Sequence, residues 1–270
     1  MDQSLVDKAN KIPSMGGMEI GPVLRQFART AQPNTSIVEV GCWLGAGTAQ
    51  LAVGVLEGKH PTSIKIHCYD RWTANQAEVE KAARWRLQLA DGEDLLPYTK
   101  RMLEPFAIPI EFHQGDIRTA LWDGGPISIY VDDASKMSKL FYHSLGAFGP
   151  SWVPGQTVIF LMDFDIWKKT GKAEHQCQKE FIEDHQDSFE RIPNTEVAVF
   201  RYSRPVDFTA WIISRFEQDA KKLARALRNT EEELHRAEQG LRRVKGSLSW
   251  RITSPLRRGR RAFVKATRRK

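Results

Sequence analysis

The sequence predicts an α/β fold: a doubly wound, mainly parallel seven-stranded sheet, followed by a long C-terminal helix and a basic tail. Three observations predict it. Short apolar runs of β-type residues alternate with helix-period segments as far as Tyr202, which builds a parallel sheet with helices on both faces. The stretch SIVEVGCWLGAGTAQLA, Ser36 to Ala52, passes from a buried strand through a glycine loop into a helix. After Pro205 the apolar residues recur at alternating steps of three and four, the signature of a coiled-coil seam.

The elements follow in order. Met18–Ala31 reads as a leading helix. Ile37–Val40 is strand one, and Thr48–Leu56 the helix after it. Strand two runs from Ile64 to Tyr69 and ends in Asp70, with a helix over about Ala74–Ala90. Strand three is Ile110–His113 and strand four Ile127–Val131. A helix around Lys139–Phe148 leads through the turn Pro154-Gly155 to strand five, in QTVIFLMD. A helix over Ala173–Ser188 precedes an antiparallel pair, FERIPNTEVAVFRY, joined at Pro193-Asn194. This gives a globular domain over residues 1–206, a coiled-coil helix over 207–246 and a basic amphipathic tail over 247–270. The seam comprises Ile213, Phe216, Ala220, Leu223, Leu227, Thr230, Leu234, Ala237, Leu241 and Val244. Its length and charged flanks predict self-association, the rival being one amphipathic helix folded back on the domain.

Composition sets the setting. Of 270 residues, 41% are hydrophobic, enough for a sizeable core. Three scattered cysteines, Cys42, Cys68 and Cys177, argue for a reducing compartment and against a disulfide framework. The N-terminus lacks the apolar stretch of a signal peptide, and no run approaches the ~18 apolar residues of a membrane span. The expected location is therefore cytoplasmic. The net charge of +7 is a property of the tail: residues 241–270 hold 12 basic residues and no acid, leaving 28 basic against 33 acidic residues elsewhere.

The glycine loop narrows the ligand. Gly41, Gly45 and Gly47 lie at offsets of four and two, whereas a dinucleotide fingerprint needs two and three, and no P-loop ending follows. Glu39 would repel a phosphate but suits an ammonium or sulfonium. Asp70, at the end of strand two, can accept from both hydroxyls of a ribose. Strand, glycine loop, helix, strand, acid is the layout of an adenosine site without a pyrophosphate clamp. VEVGCWLGAGT followed by YDRW resembles the first two motifs of class I S-adenosylmethionine (SAM)-dependent methyltransferases, the likeness covering roughly residues 18–202. It implies the Rossmann-like sheet of that family, with Glu39, Gly41 and Gly45 bordering the methionine part of SAM and Asp70 the ribose. Asp116, after strand three, stands where that family often meets the adenine, and it also suits a helix N-cap. Trp72 is placed either to stack near the adenosine or to pack.

YVDDASKMSK carries the second signal. Asp132 and Asp133 end strand four, Lys136 follows Asp133 by three, and strand five ends in Asp163. Two carboxylates from neighbouring strand ends can share a hard cation such as Mg²⁺ or Mn²⁺, and a nearby lysine can take a hydroxyl proton. The arrangement is similar to that of metal-dependent O-methyltransferases of the catechol type. Carried over, Asp133 and Asp163 would be metal ligands and Lys136 the general base. One departure stands out: Phe164 occupies the position of an asparagine ligand, so the ion would use Asp165, or no ion is bound. His113, His143, His175 and His185 show no ligand pairing in the sequence and read as surface or packed histidines.

The tail segment SLSWRITSPLR resembles a short segment that recurs at the ends of bacterial glycosyltransferases and other polysaccharide-assembly proteins. It shifts the expected acceptor toward a glycan or nucleotide sugar of a surface polysaccharide. The expectation is a SAM-dependent O-methyltransferase, oligomeric through its coiled coil, with a tail suited to an anionic inner-membrane surface or to glycosyltransferases. The first rival is a non-catalytic scaffold of the same fold. The second, a nucleic-acid methyltransferase, is disfavoured because the globular part is acidic.

Overall fold

The computed structural model describes residues 3–16 and 19–246, the last three by their main chain only. The chain divides into two compact units, Met1–Thr209 and Ala210 onward.

The first unit is a seven-stranded sheet in the order β3-β2-β1-β4-β5-β7-β6. Its strands are β1 (Ser36–Val40), β2 (Lys65–Asp70), β3 (Ile110–Gln114), β4 (Ile127–Asp132), β5 (Val158–Leu161), β6 (Phe189–Arg191) and β7 (Ala198–Tyr202). The first five run parallel; β7 pairs antiparallel with β5 and β6. The helices are α1 (Gln3–Asn10), α2 (Ile20–Ala28), α3 (Ala46–Glu57), α4 (Gln76–Arg84), α5 (Leu96–Leu103), α6 (Ser138–Phe148), α7 (Ile166–Thr170), α8 (Cys177–Asp184) and α9 (Phe208–Gly246). This is the doubly wound, mainly parallel seven-stranded sheet that the sequence predicted.

Burial explains the strand sequences. β1 and β4 are central and buried along their whole length, so both read as mainly apolar runs, interrupted within by Glu39 and Ser128. One core packs Ile37, Ile66, Ile129 and Phe160 with the apolar residues of α2 and α3. An aromatic cluster fills a second region, where Tyr130 meets Phe148 and Trp152, and Trp152 meets Phe189, Tyr202 and Phe208.

Several expected boundaries move. The helix expected over Ala74–Ala90 ends at Arg84. Its start is a capping box, in which Asn75 accepts from the Glu78 N–H and the Glu78 side chain accepts from the Asn75 N–H. Its end is a Schellman motif, with Leu87 N–H donating to the Ala82 carbonyl, Arg86 N–H to that of Ala83, and Arg86 left-handed at φ 61°. The helix expected over Ala173–Ser188 divides into a 3₁₀ turn, α8 and a second 3₁₀ turn. Helices α1, α5 and α7 were not expected at all.

The second unit is helical as far as Gly246. At 1.5 Å per residue, the 39 residues of α9 span about 58 Å. Ile213, Phe216, Leu223, Leu227, Leu234 and Leu241 are all exposed along it. No described helix is long and apolar enough to cross a membrane. The tail 247–270, with Trp250, Ile252, Leu256, Phe263 and Val264, lies outside the described residues.

Candidate functional site

In a doubly wound sheet, ligands lie at the carboxyl edge, where strand order reverses. Here that point is between β1 and β4. The loops leaving them are held together: Asp133 N–H donates to the Val40 carbonyl at 2.8 Å, and Gly41 N–H to the Tyr69 carbonyl at 2.9 Å. Gly41 has φ 89°, and a Cβ there would lie 2.8 Å from the main chain of Asp133. Gly45, at φ 87°, begins α3, and a side chain on it would strike Leu103. Both glycines keep the loop thin at the crevice.

Asp70 sits at that edge, at the end of β2. Its two oxygens accept the main-chain N–H groups of Trp43, at 2.8 Å, and Trp72, at 2.7 Å. Both tryptophans are left-handed, at φ 46° and 45°. For bulky residues this conformation costs of order 1–3 kcal/mol each, and such strain gathers at ligand clamps and active sites. It persists because its neighbours fix it. The Trp72 indole and Thr99 hydroxyl both donate to the Trp43 carbonyl, and Leu95 N–H donates to the Trp72 carbonyl. Each Asp70 oxygen keeps lone-pair capacity for a hydroxyl donor. Burial pushes the Asp70 carboxyl up, against the two N–H bonds that pull it down. Trp43 Nε1 is buried and has no hydrogen-bond partner among the described residues.

Glu39 does not reach toward the crevice. It is 4% exposed, its carboxylate accepts from the Thr48 hydroxyl at 2.5 Å, and it fills the space that a side chain on Gly47 would need. It therefore lies against the first turn of α3. Burial pushes its pKa up to about 7, with the Thr48 bond pulling down and Asp70 adding to the rise. Trp72 is a correction: it is fully buried, tied to Trp43 and edge-on to Phe112, so it packs and presents no face to a ligand. Asp116 is exposed, caps the Ile117–Thr119 turn and is bound by the Arg118 guanidinium, which drives its pKa down to about 2.

At the ends of β4 and β5 the acids divide. Asp132 is fully buried and accepts from the Ala134 and Ser135 N–H groups, a supporting role for the loop. Asp133 is exposed. The protein around it and the neighbouring charge of Asp163 push its carboxyl up, opposed by Lys136, and solvent contact screens part of that push. Asp163 is mostly buried; its Oδ2 lies 3.3 Å from Lys136 Nζ and has no hydrogen-bond partner among the described residues. Burial pushes Asp163 up, while Lys136 pulls it down. Two carboxylates thus share one lysine, an all-oxygen donor set short of positive charge. It fits a hard divalent ion, which Mg²⁺-type sites hold by one or two carboxylates plus waters. Asp165 instead pairs with Lys168 at 2.7 Å, and Phe164 packs at a tilt against Phe200.

The structure thus brings Gly41, Asp70, Asp133, Lys136 and Asp163 to one edge and leaves Trp72 and Glu39 behind it. Sequence reasoning missed Trp43, whose contribution is a main-chain N–H and carries no side-chain signal.

No protein-family model matches the chain, and no curated protein does. Solved structures do. The methyltransferase PaMTH1 of Podospora anserina, bound to SAH (S-adenosylhomocysteine), aligns with 76% of this chain and 89% of its own at 12% identity, with a TM-score of 0.51. CalS11, the TDP-rhamnose 3′-O-methyltransferase of calicheamicin biosynthesis, aligns with 75% of this chain and 93% of its own at 14% identity and TM-score 0.45. The likeness is one of fold.

Proposed function

We propose that the chain is a SAM-dependent O-methyltransferase whose acceptor is a sugar hydroxyl, in the assembly of a bacterial surface polysaccharide. The observation that carries the SAM site is Asp70, held at the switch-point edge by two strained tryptophan N–H groups beside a thin glycine loop. PaMTH1, of the same fold, is recorded with SAH. SAM supplies a methyl group on a sulfonium. Asp70 accepts its ribose hydroxyls, and Gly41 and Gly45 leave room at its methionine end. Glu39 supports the loop from beneath.

The acceptor proton is assigned to Lys136, three residues after Asp133. Its Nζ stands 3.3 Å from Asp163 Oδ2 at the same sheet edge. A divalent ion held by Asp133 and Asp163 would supply Lewis acidity toward the acceptor oxygen. The sugar acceptor rests on the SLSWRITSPLR segment. The uncovered heptad face of α9 supports pairing with a second copy of the chain, because a 3.5-residue repeat matches itself. The twelve basic residues beyond Gly240 suit an anionic membrane surface.

The test is transfer of tritiated methyl from SAM into cell-envelope glycan extracts. Label in a glycan fraction, lost in Asp133→Asn, is expected. SAH binding without any transfer would identify a scaffold instead.

A further inference from the structure

We infer that His67, Glu111 and His113 form a binding site for a divalent transition-metal ion of the zinc type, on the face of the sheet at its β2–β3 edge. Strands β2 and β3 are parallel, with His67 opposite Glu111 and Tyr69 opposite His113. Side chains two apart share a face, so both imidazoles and the carboxylate emerge together.

The geometry is that of a ligand set. His67 Nδ1 lies 3.1 Å from His113 Nε2 and 3.3 Å from Glu111 Oε2, which is 4.0 Å from His113 Nε2. A triangle with these edges has a point about 2 Å from all three atoms, the length of zinc bonds to imidazole and carboxylate. The remaining groups favour the arrangement. Lys65 Nζ holds the other oxygen, Glu111 Oε1, at 2.5 Å, which leaves Oε2 to the histidines. Tyr69 stacks on His113 at 4.2 Å, and Trp122 meets His67 edge-on at 4.7 Å, so both rings are fixed before any ion arrives. Without an ion, His67 Nδ1 and His113 Nε2 share one hydrogen bond, and a metal would take the place of its proton. The negative charge of Asp123 bears on both rings and adds to the attraction for a cation.

Two nitrogens and an oxygen select zinc, copper or nickel over magnesium or calcium. The set is therefore distinct in kind from the all-oxygen pair Asp133 and Asp163. His67 is nearly buried, while His113 and Glu111 are 37% and 45% exposed, which leaves a coordination position open to water. The ion would staple edge strand β3 to β2 just before Asp70. Nothing in the inference depends on methyl transfer.

The test uses the full-length, tag-free chain, stripped with a chelator that is then removed. Zn²⁺ is titrated against a chromogenic indicator, and Co²⁺ is followed by visible absorption. One equivalent of Zn²⁺ should bind and raise the melting temperature. His113→Ala and Glu111→Gln, both at partly exposed positions, should each weaken binding by at least about tenfold and abolish the thermal shift. His60→Ala, at an exposed site elsewhere, should bind as the parent does. Equal binding by parent and both variants overturns the site, as does no saturable binding below about 100 μM. A sulfur-to-cobalt charge-transfer band would move the ion to the buried group Glu39, Cys42 and Cys68, and also overturns it.

Discussion

Replacing Glu39 with glutamine should make the protein more stable at alkaline pH and leave it unchanged in acid. Glu39 is buried with one strong partner, the Thr48 hydroxyl. Its pKa rises from 4.5 to about 7 on folding. Below pH 4.5 both states are protonated and the group costs nothing. As pH rises, the unfolded chain ionises first, so stability falls until the folded carboxyl also ionises near pH 7. A rise from 4.5 to about 7 is worth about 3 kcal/mol. The N-terminus of α3 opposes this, since its N–H groups favour a carboxylate by up to about 2 kcal/mol in a partly buried geometry. Desolvation wins, and the expected gain for Glu39→Gln at pH 8 is about 1–3 kcal/mol, vanishing near pH 4.5. Urea unfolding followed by tryptophan fluorescence at half-unit steps from pH 4.5 to 8 reads the difference directly. Asp132, whose pKa burial also raises to about 6, contributes to both proteins and largely cancels. A variant less stable than the parent at pH 8 would refute the reasoning, because the carboxylate would then be a net stabiliser of the α3 N-terminus.

Three further outcomes are expected. Asp70→Asn should weaken SAH binding by calorimetry roughly ten- to hundredfold, since hydrogen bonds to a charged group contribute about 1.5–3 kcal/mol; an unchanged affinity removes Asp70 from the ribose. With Asp133 and Asp163 holding a cation, EDTA should abolish methyl transfer and Mg²⁺ or Mn²⁺ should restore it; full activity in EDTA leaves Lys136, or a histidine, as a metal-free base. A chain ending at Lys245 should stay oligomeric by analytical ultracentrifugation yet no longer float with anionic liposomes, whereas one ending at Val206 should fall to a monomer or a globular dimer; a monomer at micromolar concentration for the longer chain removes the coiled coil.

What the sequence showed, and what it concealed, follow from where each element's signal resides. The strands were legible because central strands in a parallel sheet are mostly apolar, and Ile37–Val40 and Ile127–Val131 stand out despite Glu39 and Ser128. Asn194, left-handed at φ 59°, marked the turn between β6 and β7 by its residue type. The end of α4 was not legible. Its left-handed C′ position is Arg86, where a glycine would have announced the stop, and the apolar residues that follow continue a helical spacing into a loop. Helix α5 begins with a proline in its first turn, a start signal that the sequence did contain at Leu96-Pro97.

The candidate site was legible in its residues and misread in its directions. A strand-end acid can be placed on the sheet edge from sequence, but which way its carboxylate turns depends on the nearest donor. Thr48 and the first turn of α3 draw Glu39 inward, whereas the Trp43 and Trp72 N–H groups hold Asp70 at the edge. Both donors beside Asp70 are main-chain groups, set by two left-handed tryptophans that no spacing rule would predict. The same blindness hid His67 and His113. Each is a lone histidine in its own strand, and only the parallel register of β2 with β3 makes them neighbours. Pairing across strands is tertiary information, so chemistry built from i and i+2 positions on two strands emerges only after the sheet is assembled. The loop residues that end the strands share one edge in every doubly wound sheet, and for that reason Asp70, Asp133 and Asp163 could be grouped before the fold was seen.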